Sequence, residues 1–206
     1  MPSSISCQTK VWVEPLPSLQ VLLEGAAECD LALLPRWGSD SRKREALAWR
    51  RIVRRELGVD AELSYNEVGA PVILNKKGYI SVSHNAEYVA VAYSETSSCA
   101  IDIESEDRNF HPLSSRYLKP EERSLSSHPA WLCIAWSAKE TLYKLAARRG
   151  LNLQRDISLN GVEKFDSHRP ATNSDLEPQG SITASVNNST YTLLYTQVGS
   201  SWVVWH

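Results

Sequence analysis

Apolar positions recur at helical spacing over residues 41–57, where Ala46, Leu47, Trp49, Ile52, Val53 and Leu57 form one stripe and Gly58 follows as a stop. Residues 130–149 read as a second long helix, closed by Gly150. Between them lie short β-prone runs at 72–74, 79–83 and 88–94, with turn chemistry at 75–78 and a further short strand at 99–104. A strand over 10–13, ended by Pro15 and Pro17, opens the chain. Residues 113–117 begin a helical region, and 120–122 read as the first turn of another helix. Strands at 182–186, 190–196 and 202–205 close the chain, with Asn187-Asn188 as a hairpin turn. Residues 167–180 are polar and contain proline, the pattern of a mobile loop. Each half therefore has a prominent helix followed by a few strands, which predicts a duplicated α+β unit.

Composition narrows the function classes. The 206 residues carry 22 Lys+Arg and 24 Asp+Glu, a formal net charge of −2, with 42% hydrophobic residues. These proportions exclude collagen-like, disordered and disulfide-dense chains and argue against blanket polyanion binding. Any anion site must come from local clustering. The four cysteines, Cys7, Cys29, Cys99 and Cys133, have no CxxC spacing, and the last three sit in apolar contexts, so buried free thiols are expected. The first residues have neither a basic nor an apolar signal region, and the longest apolar run, 130–136, is too short to span a bilayer. A cytoplasmic protein without membrane partners is the expectation.

Four groups of residues can carry chemistry. In Asp102-Ile103-Glu104, strand alternation puts both carboxylates on one face and Ile101 and Ile103 on the other. Adjacent carboxylates repel unless a cation lies between them, which suits Mg²⁺ or Mn²⁺; two ordinary surface acids are the plainer alternative. In the stretch 136–144, Trp136, Lys139, Glu140, Tyr143 and Lys144 are expected on one side of a helix, either as a charged site on an aromatic base or as core aromatics with a Glu140–Lys144 pair. Residues 42–55 hold seven cations (Arg42, Lys43, Arg44, Arg50, Arg51, Arg54 and Arg55) against the single acid Glu45. A solvated face explains some of them, but arginine is also the residue for forked phosphate contacts. Ser83 and His84 end a strand, where His84 is either an anion contact or a structural residue. The other histidines lack zinc-ligand spacing, and no Walker A, GxGxxG or GxSxG motif is present.

In this order, Gly69-x-Pro71, Ser81-Val-Ser83-His84, Ala100-Ile-Asp102-Ile-Glu104, Arg116-Tyr-Leu-Lys-Pro120-Glu121-Glu122 and Trp136-Ser-Ala-Lys139-Glu140-x-x-x-Lys144 resemble the 4′-phosphopantetheinyl transferases, more narrowly the surfactin-synthetase-activating type. The resemblance covers about residues 41–159. It implies an α+β fold of two similar halves, 1–104 and 105–206, related by a pseudo-two-fold axis, each a small, mainly antiparallel sheet packed with a long helix, with the active site between them. It implies transfer of the phosphopantetheine arm of coenzyme A to a serine of an acyl or peptidyl carrier protein, with release of 3′,5′-ADP. By the same resemblance Asp102, Glu104 and Glu140 hold Mg²⁺, Lys139 and Lys144 lie beside the phosphates, and Ser83 and His84 belong to the coenzyme A site. Arg44 or Arg50 is expected at the 3′-phosphate, Glu140 as the base for the acceptor serine with Lys144 beside it, and the chain as a monomer. Acidic carriers are expected to meet the basic helix and residues 116–123.

Two positions depart from the family pattern: Ala70 stands where lysine is usual in G-K-P, and Ala100 where glycine commonly precedes I-D-I-E. The alternatives are a coenzyme A-binding homologue without turnover, a metal-dependent nuclease, or a non-catalytic anion-binding module for RNA or an acidic protein. Adjacent Lys139 and Glu140 on a helix tell against the strand geometry of a nuclease, and a pure binding module leaves the three acids unexplained. The favoured reading has no nucleic-acid partner.

Overall fold

The computed structural model describes residues 9–165 and 176–206. Of the expected loop over 167–180, residues 167–175 lie outside them, as does Cys7; residues 176–179 precede the strand that Gly180 opens. Strand β1 (Lys10–Pro15) pairs antiparallel with β5 (Tyr88–Ser94), which pairs with β4 (Tyr79–His84) in a three-stranded sheet. A two-stranded ribbon, β2 (Leu63–Tyr65) with β3 (Pro71–Ile73), flanks it. Helix α3 (Asp40–Leu57) starts where the Ser39 hydroxyl accepts from Arg42 N–H and stops at Gly58, whose φ of 115° suits glycine alone. Two short helices, α1 (Leu19–Glu24) and α2 (Glu28–Leu31), precede it and have no counterpart in the sequence pattern.

The second sheet has five strands in the order β6 (Ile101–Ser105), β10 (Ser201–Trp205), β9 (Ser189–Val198), β8 (Gly180–Val186) and β7 (Ile157–Lys164). Helix α5 (Trp131–Ala146) covers it, burying Ile134, Ala138 and Leu142 among Leu159, Ile182 and Leu193. The short α4 (Ser114–Tyr117) leads toward α5. The β8–β9 turn uses Asn187 and Asn188 at φ 52° and 63°, the double left-handed geometry of the expected hairpin. Strand β7 and its bulge between Leu159 and Gly161 were not anticipated, because Gly161 and charged Glu163 and Lys164 interrupt its alternation.

Three features differ from expectation. Helix α5 ends at Ala146 rather than Arg149, because Ala147 turns left-handed (φ 46°) and its N–H bonds back to Lys144 O. Strand β6 pairs with β10, so the D-x-E strand joins the C-terminal sheet although chain order groups it with residues 1–104. Cys29 is exposed, its sulfur accepting from Arg54 Nη2, whereas Cys99 and Cys133 are buried thiols as expected.

The alternation of large and small residues in β5 joins these layers. Val89, Val91 and Tyr93 face α3, while Ala90 and Ala92 face the other way, against Ile101 and Ile103 of β6 and Val203 and Trp205 of β10. Alanines on that face let the two sheets approach closely, and the resulting apolar seam puts the back of β6 in the core. Its front, carrying Asp102 and Glu104, faces α5. Among the described residues no helix is long and apolar enough to cross a membrane.

Candidate functional site

The chemistry-bearing side chains gather where the front of β6 meets α5 and the end of β4. Asp102 is buried; its Oδ1 accepts from Ser83 Oγ at 2.8 Å and from Lys144 Nζ at 2.9 Å. Its Oδ2 is buried with no hydrogen-bond partner. Lys144 Nζ also donates to the backbone carbonyls of Ile101 at 2.8 Å and Val82 at 3.3 Å, linking both sheets to α5. Glu104 Oε1 accepts from Arg108 Nη1 at 2.8 Å and from the Trp136 indole at 3.1 Å.

Burial holds the Glu104 and Glu140 carboxyls above the usual carboxylate range, and the charge of Asp102 pushes each further up. Arg108 opposes the shift at Glu104, and chiefly Lys144 opposes it at Glu140. Such desolvated, mutually repelling acids are the environment a hard cation relieves, and the unpartnered Asp102 oxygen is one free ligand for it. The donor set, all carboxylate oxygen, therefore fits Mg²⁺ or Mn²⁺ in kind. Among the described residues no group of three or more His, Cys, Asp or Glu is placed so as to hold a metal ion. Lys144 and Arg108 hold the inward oxygens instead.

The helix motif divides by angle. Residues advance by 100° along a helix, so Trp136, Glu140 and Lys144 share a stripe toward β6, and Lys139 points a quarter-turn away. Lys139 is 0% exposed. Its Nζ lies 2.8 Å from both oxygens of Glu122 and donates to the carbonyls of Leu153 and Ile157. Glu122 in turn accepts from the N–H groups of Lys119 and Leu159. Expected beside phosphates, Lys139 is in this structure a buried partner of Glu122 with its ammonium hydrogen-bonded. Burial pushes its pKa down while Glu122 holds it up.

Arg44 and Arg50 are also committed internally. Arg44 donates from Nε to Pro17 O and from Nη2 to Leu16 O, both at 2.6 Å. Arg50 is 1% exposed, and its guanidinium carbon lies 5.1, 4.3 and 5.3 Å from the ring centroids of Trp37, Trp49 and Tyr65. Its Nε is 3.2 Å from Asp30 Oδ1, an ion-pair distance without hydrogen-bond alignment. Of the two, Arg50 is the more deeply buried, its guanidinium set between α2 and α3 beside Asp30. His84 remains exposed, 3.3 Å from Glu45 Oε2.

A groove of about 280 Å³, lined by residues of both halves, includes Lys144. Its walls are mainly apolar, with Val68, Pro71, Ile80 and Tyr143, and Arg148 and Arg149 also line it. Arg149 Nη2 donates to Glu67 O at 2.7 Å, tying the end of α5 to the loop before β3. A larger polar recess, about 470 Å³, lies between Arg148, Arg155 and Asn187-Asn188; none of the three acids lines either hollow, but the smaller groove is lined by Lys144, which is bonded to Asp102. Arg108 and the Glu122 anchor were missed from sequence. A Glu104–Arg108 charge pair four residues apart, followed by Phe110, is the only local signal for the first.

No curated protein matches the chain significantly. Residues 98–196, which contain β6, α5, Asp102, Glu104, Glu140 and Lys144, match the family model of the 4′-phosphopantetheinyl transferase superfamily. That match, over just under half the chain, supports placing this part of it in the superfamily.

Proposed function

We propose that the protein transfers the phosphopantetheine arm of coenzyme A to a serine of an acyl or peptidyl carrier protein, releasing 3′,5′-ADP. The observation that carries this reading is the nearness of Asp102, whose Oδ2 is buried without a partner, to Glu104 and Glu140, whose carboxyls its charge pushes up, beside Lys144, which also lines the apolar groove. Coenzyme A is a long molecule with an anionic pyrophosphate, and a mainly apolar groove lined also by Lys144, Arg148 and Arg149 matches such a ligand in kind. A divalent cation held by Asp102, Glu104 and Glu140 would neutralise the pyrophosphate and the charge of departing ADP.

The protein's own residues supply the rest. Lys144, already fixed by two backbone carbonyls, presents an ammonium to the pyrophosphate without needing to be ordered on binding. The Glu140 carboxylate makes no hydrogen bond or ion pair among the described residues, and its raised pKa suits a base. It takes the acceptor serine proton, directly or through a water, as the serine oxygen attacks the phosphorus bearing the pantetheine and the bond to ADP breaks. Ser83 holds Asp102 in place. The two-halves subtype, the pseudo-two-fold relation and the monomer belong to this proposal. Because Arg44 and Arg50 are engaged elsewhere, the exposed Arg42, Arg51, Arg116 and Arg123 are the residues offered to an acidic carrier.

The deciding experiment incubates the protein with apo carrier, coenzyme A and Mg²⁺ and weighs the carrier intact. A gain of one phosphopantetheine that disappears with Glu140→Gln is expected. Coenzyme A binding without any carrier gain, across fatty-acid, polyketide and peptide-synthetase carriers, would select the non-catalytic homologue instead.

A further inference from the structure

The acid set brings its own counter-ions, and the two differ in how firmly they are held. Lys144 is anchored by the carbonyls of Val82 and Ile101 in addition to Asp102, so its ammonium stays if the carboxylate finds another partner. Arg108 has no such anchor. Its guanidinium pairs with Glu104 and lies between two rings, its central carbon 5.0 Å from the centroid of Trp136 and 5.1 Å from that of Phe110. The side chain is 42% exposed, against 20% for Glu104, so the arginine is the more exposed partner, on the solvent side of the half-buried carboxylate. It can rotate into water by giving up one ion pair and two ring contacts, without opening the core.

We propose that Arg108 is the resting counter-ion of the acid set, and that a divalent cation binds by displacing it from Glu104. This rests on the reading of Asp102, Glu104 and Glu140 as the cation-holding acids. The displacement accounts for two observations together: the charge of Asp102 bears on both Glu104 and Glu140, yet among the described residues no group of three or more His, Cys, Asp or Glu is placed so as to hold a metal ion. An internal cation keeps the acids from repelling one another before loading, and Arg108 thereby weakens cation binding by what the pair and its stacking are worth. A half-exposed ion pair corresponds to about a fivefold change in affinity.

Two measurements test this without carrier or coenzyme A. In calorimetric titration with Mg²⁺ alone, Arg108→Ala is expected to bind about fivefold more tightly than the unaltered protein. Arg108→Lys, which keeps the charge but loses the planar fork and stacking, is expected between them. Removal of a nearby charge could by itself tighten binding, so the second measurement follows the arginine. The Nε–H signal of Arg108 in a nitrogen–proton spectrum, identified by its loss in Arg108→Ala, is expected to move to the free-arginine position as Mg²⁺ saturates. Binding of Mg²⁺ with that signal unmoved overturns the proposal. So does an Arg108→Ala protein that binds Mg²⁺ no better than the unaltered one, including the case in which neither binds. Tighter binding and a displaced arginine, with no carrier modified, leave this proposal standing and defeat the transferase reading alone.

Discussion

The two lysines of the K-E-x-x-x-K helix are five residues apart and have opposite uses, which single substitutions should separate. Lys139 is fully enclosed with Glu122, so Lys139→Ala leaves a buried carboxylate without its cation and is expected to cost about 3–5 kcal/mol of stability. Lys144 is 29% exposed, so Lys144→Ala leaves Asp102 within reach of water or a bound cation and costs less. Denaturant unfolding should therefore rank Lys139→Ala as the more damaging, and steady-state turnover of the folded fraction should rank Lys144→Ala as the more damaging. A reversal of both orders would return Lys139 to the phosphates. The sequence motif places both lysines on one helix, but it does not reveal that the 100° step turns Lys139 toward Glu122, a partner 17 residues away and contributed by a separate 3₁₀ turn. Asp102 and Glu104 were legible for the opposite reason: alternation along a strand is local, and the buried Ile101 and Ile103 fix its direction.

At the scale of elements, the start of α5 rests on a histidine instead of a side-chain hydroxyl or carboxylate cap. His128 Nδ1 accepts from Ala130 N–H at 3.1 Å, and its ring meets Trp202 edge-on at 4.9 Å. An accepting Nδ1 must be unprotonated. Burial and then the charge of Lys164 hold the His128 pKa below its ordinary value, with Glu106 acting in the opposite sense. The unfolded chain therefore binds this proton more readily than the folded one, so the histidine lowers stability as pH falls through its unfolded value, about 6.5. The full penalty is present below the folded pKa. Melting temperature is expected to drop from pH 7.5 to pH 5, and His128→Asn, which keeps an acceptor but cannot titrate there, should shrink that drop. An equal drop in both proteins would remove His128 as its cause. The boundaries of α5 follow the same logic of legibility. Gly150 marks a stop in sequence, but the actual stop is Ala147, a residue type that rarely turns left-handed and gives no signal. The turn leaves Arg149 to reach the carbonyl of Glu67 in the other half.

At the scale of the whole molecule, the site depends on how closely the two sheets approach. Ile101 N–H donates to Ser81 Oγ at 3.2 Å and Ser83 Oγ donates to Asp102, so β4 and β6 are joined by hydroxyls across the seam that Ala90 and Ala92 of β5 leave narrow. The V-A-V-A alternation of β5 is visible in sequence as a strand, but its large-to-helix, small-to-sheet meaning emerges only once β6 is seen to join the second sheet. This separates stability from function on a single strand. Ala92→Val adds volume to the seam, and Val89→Ile adds one methylene to the opposite, α3-facing side. Overpacking either face costs about 1–3 kcal/mol. Only the seam substitution moves Asp102 relative to Ser83 and Lys144, so turnover measured well below the melting temperature should fall about tenfold or more for Ala92→Val and stay near normal for Val89→Ile, since displacements of about 1 Å are costly to catalysis. Equal losses of turnover at equal losses of stability would mean that the alanines serve packing alone. A selective loss would make the spacing of the sheets part of the catalytic geometry, set by two methyl groups on the far side of β6 from the acids.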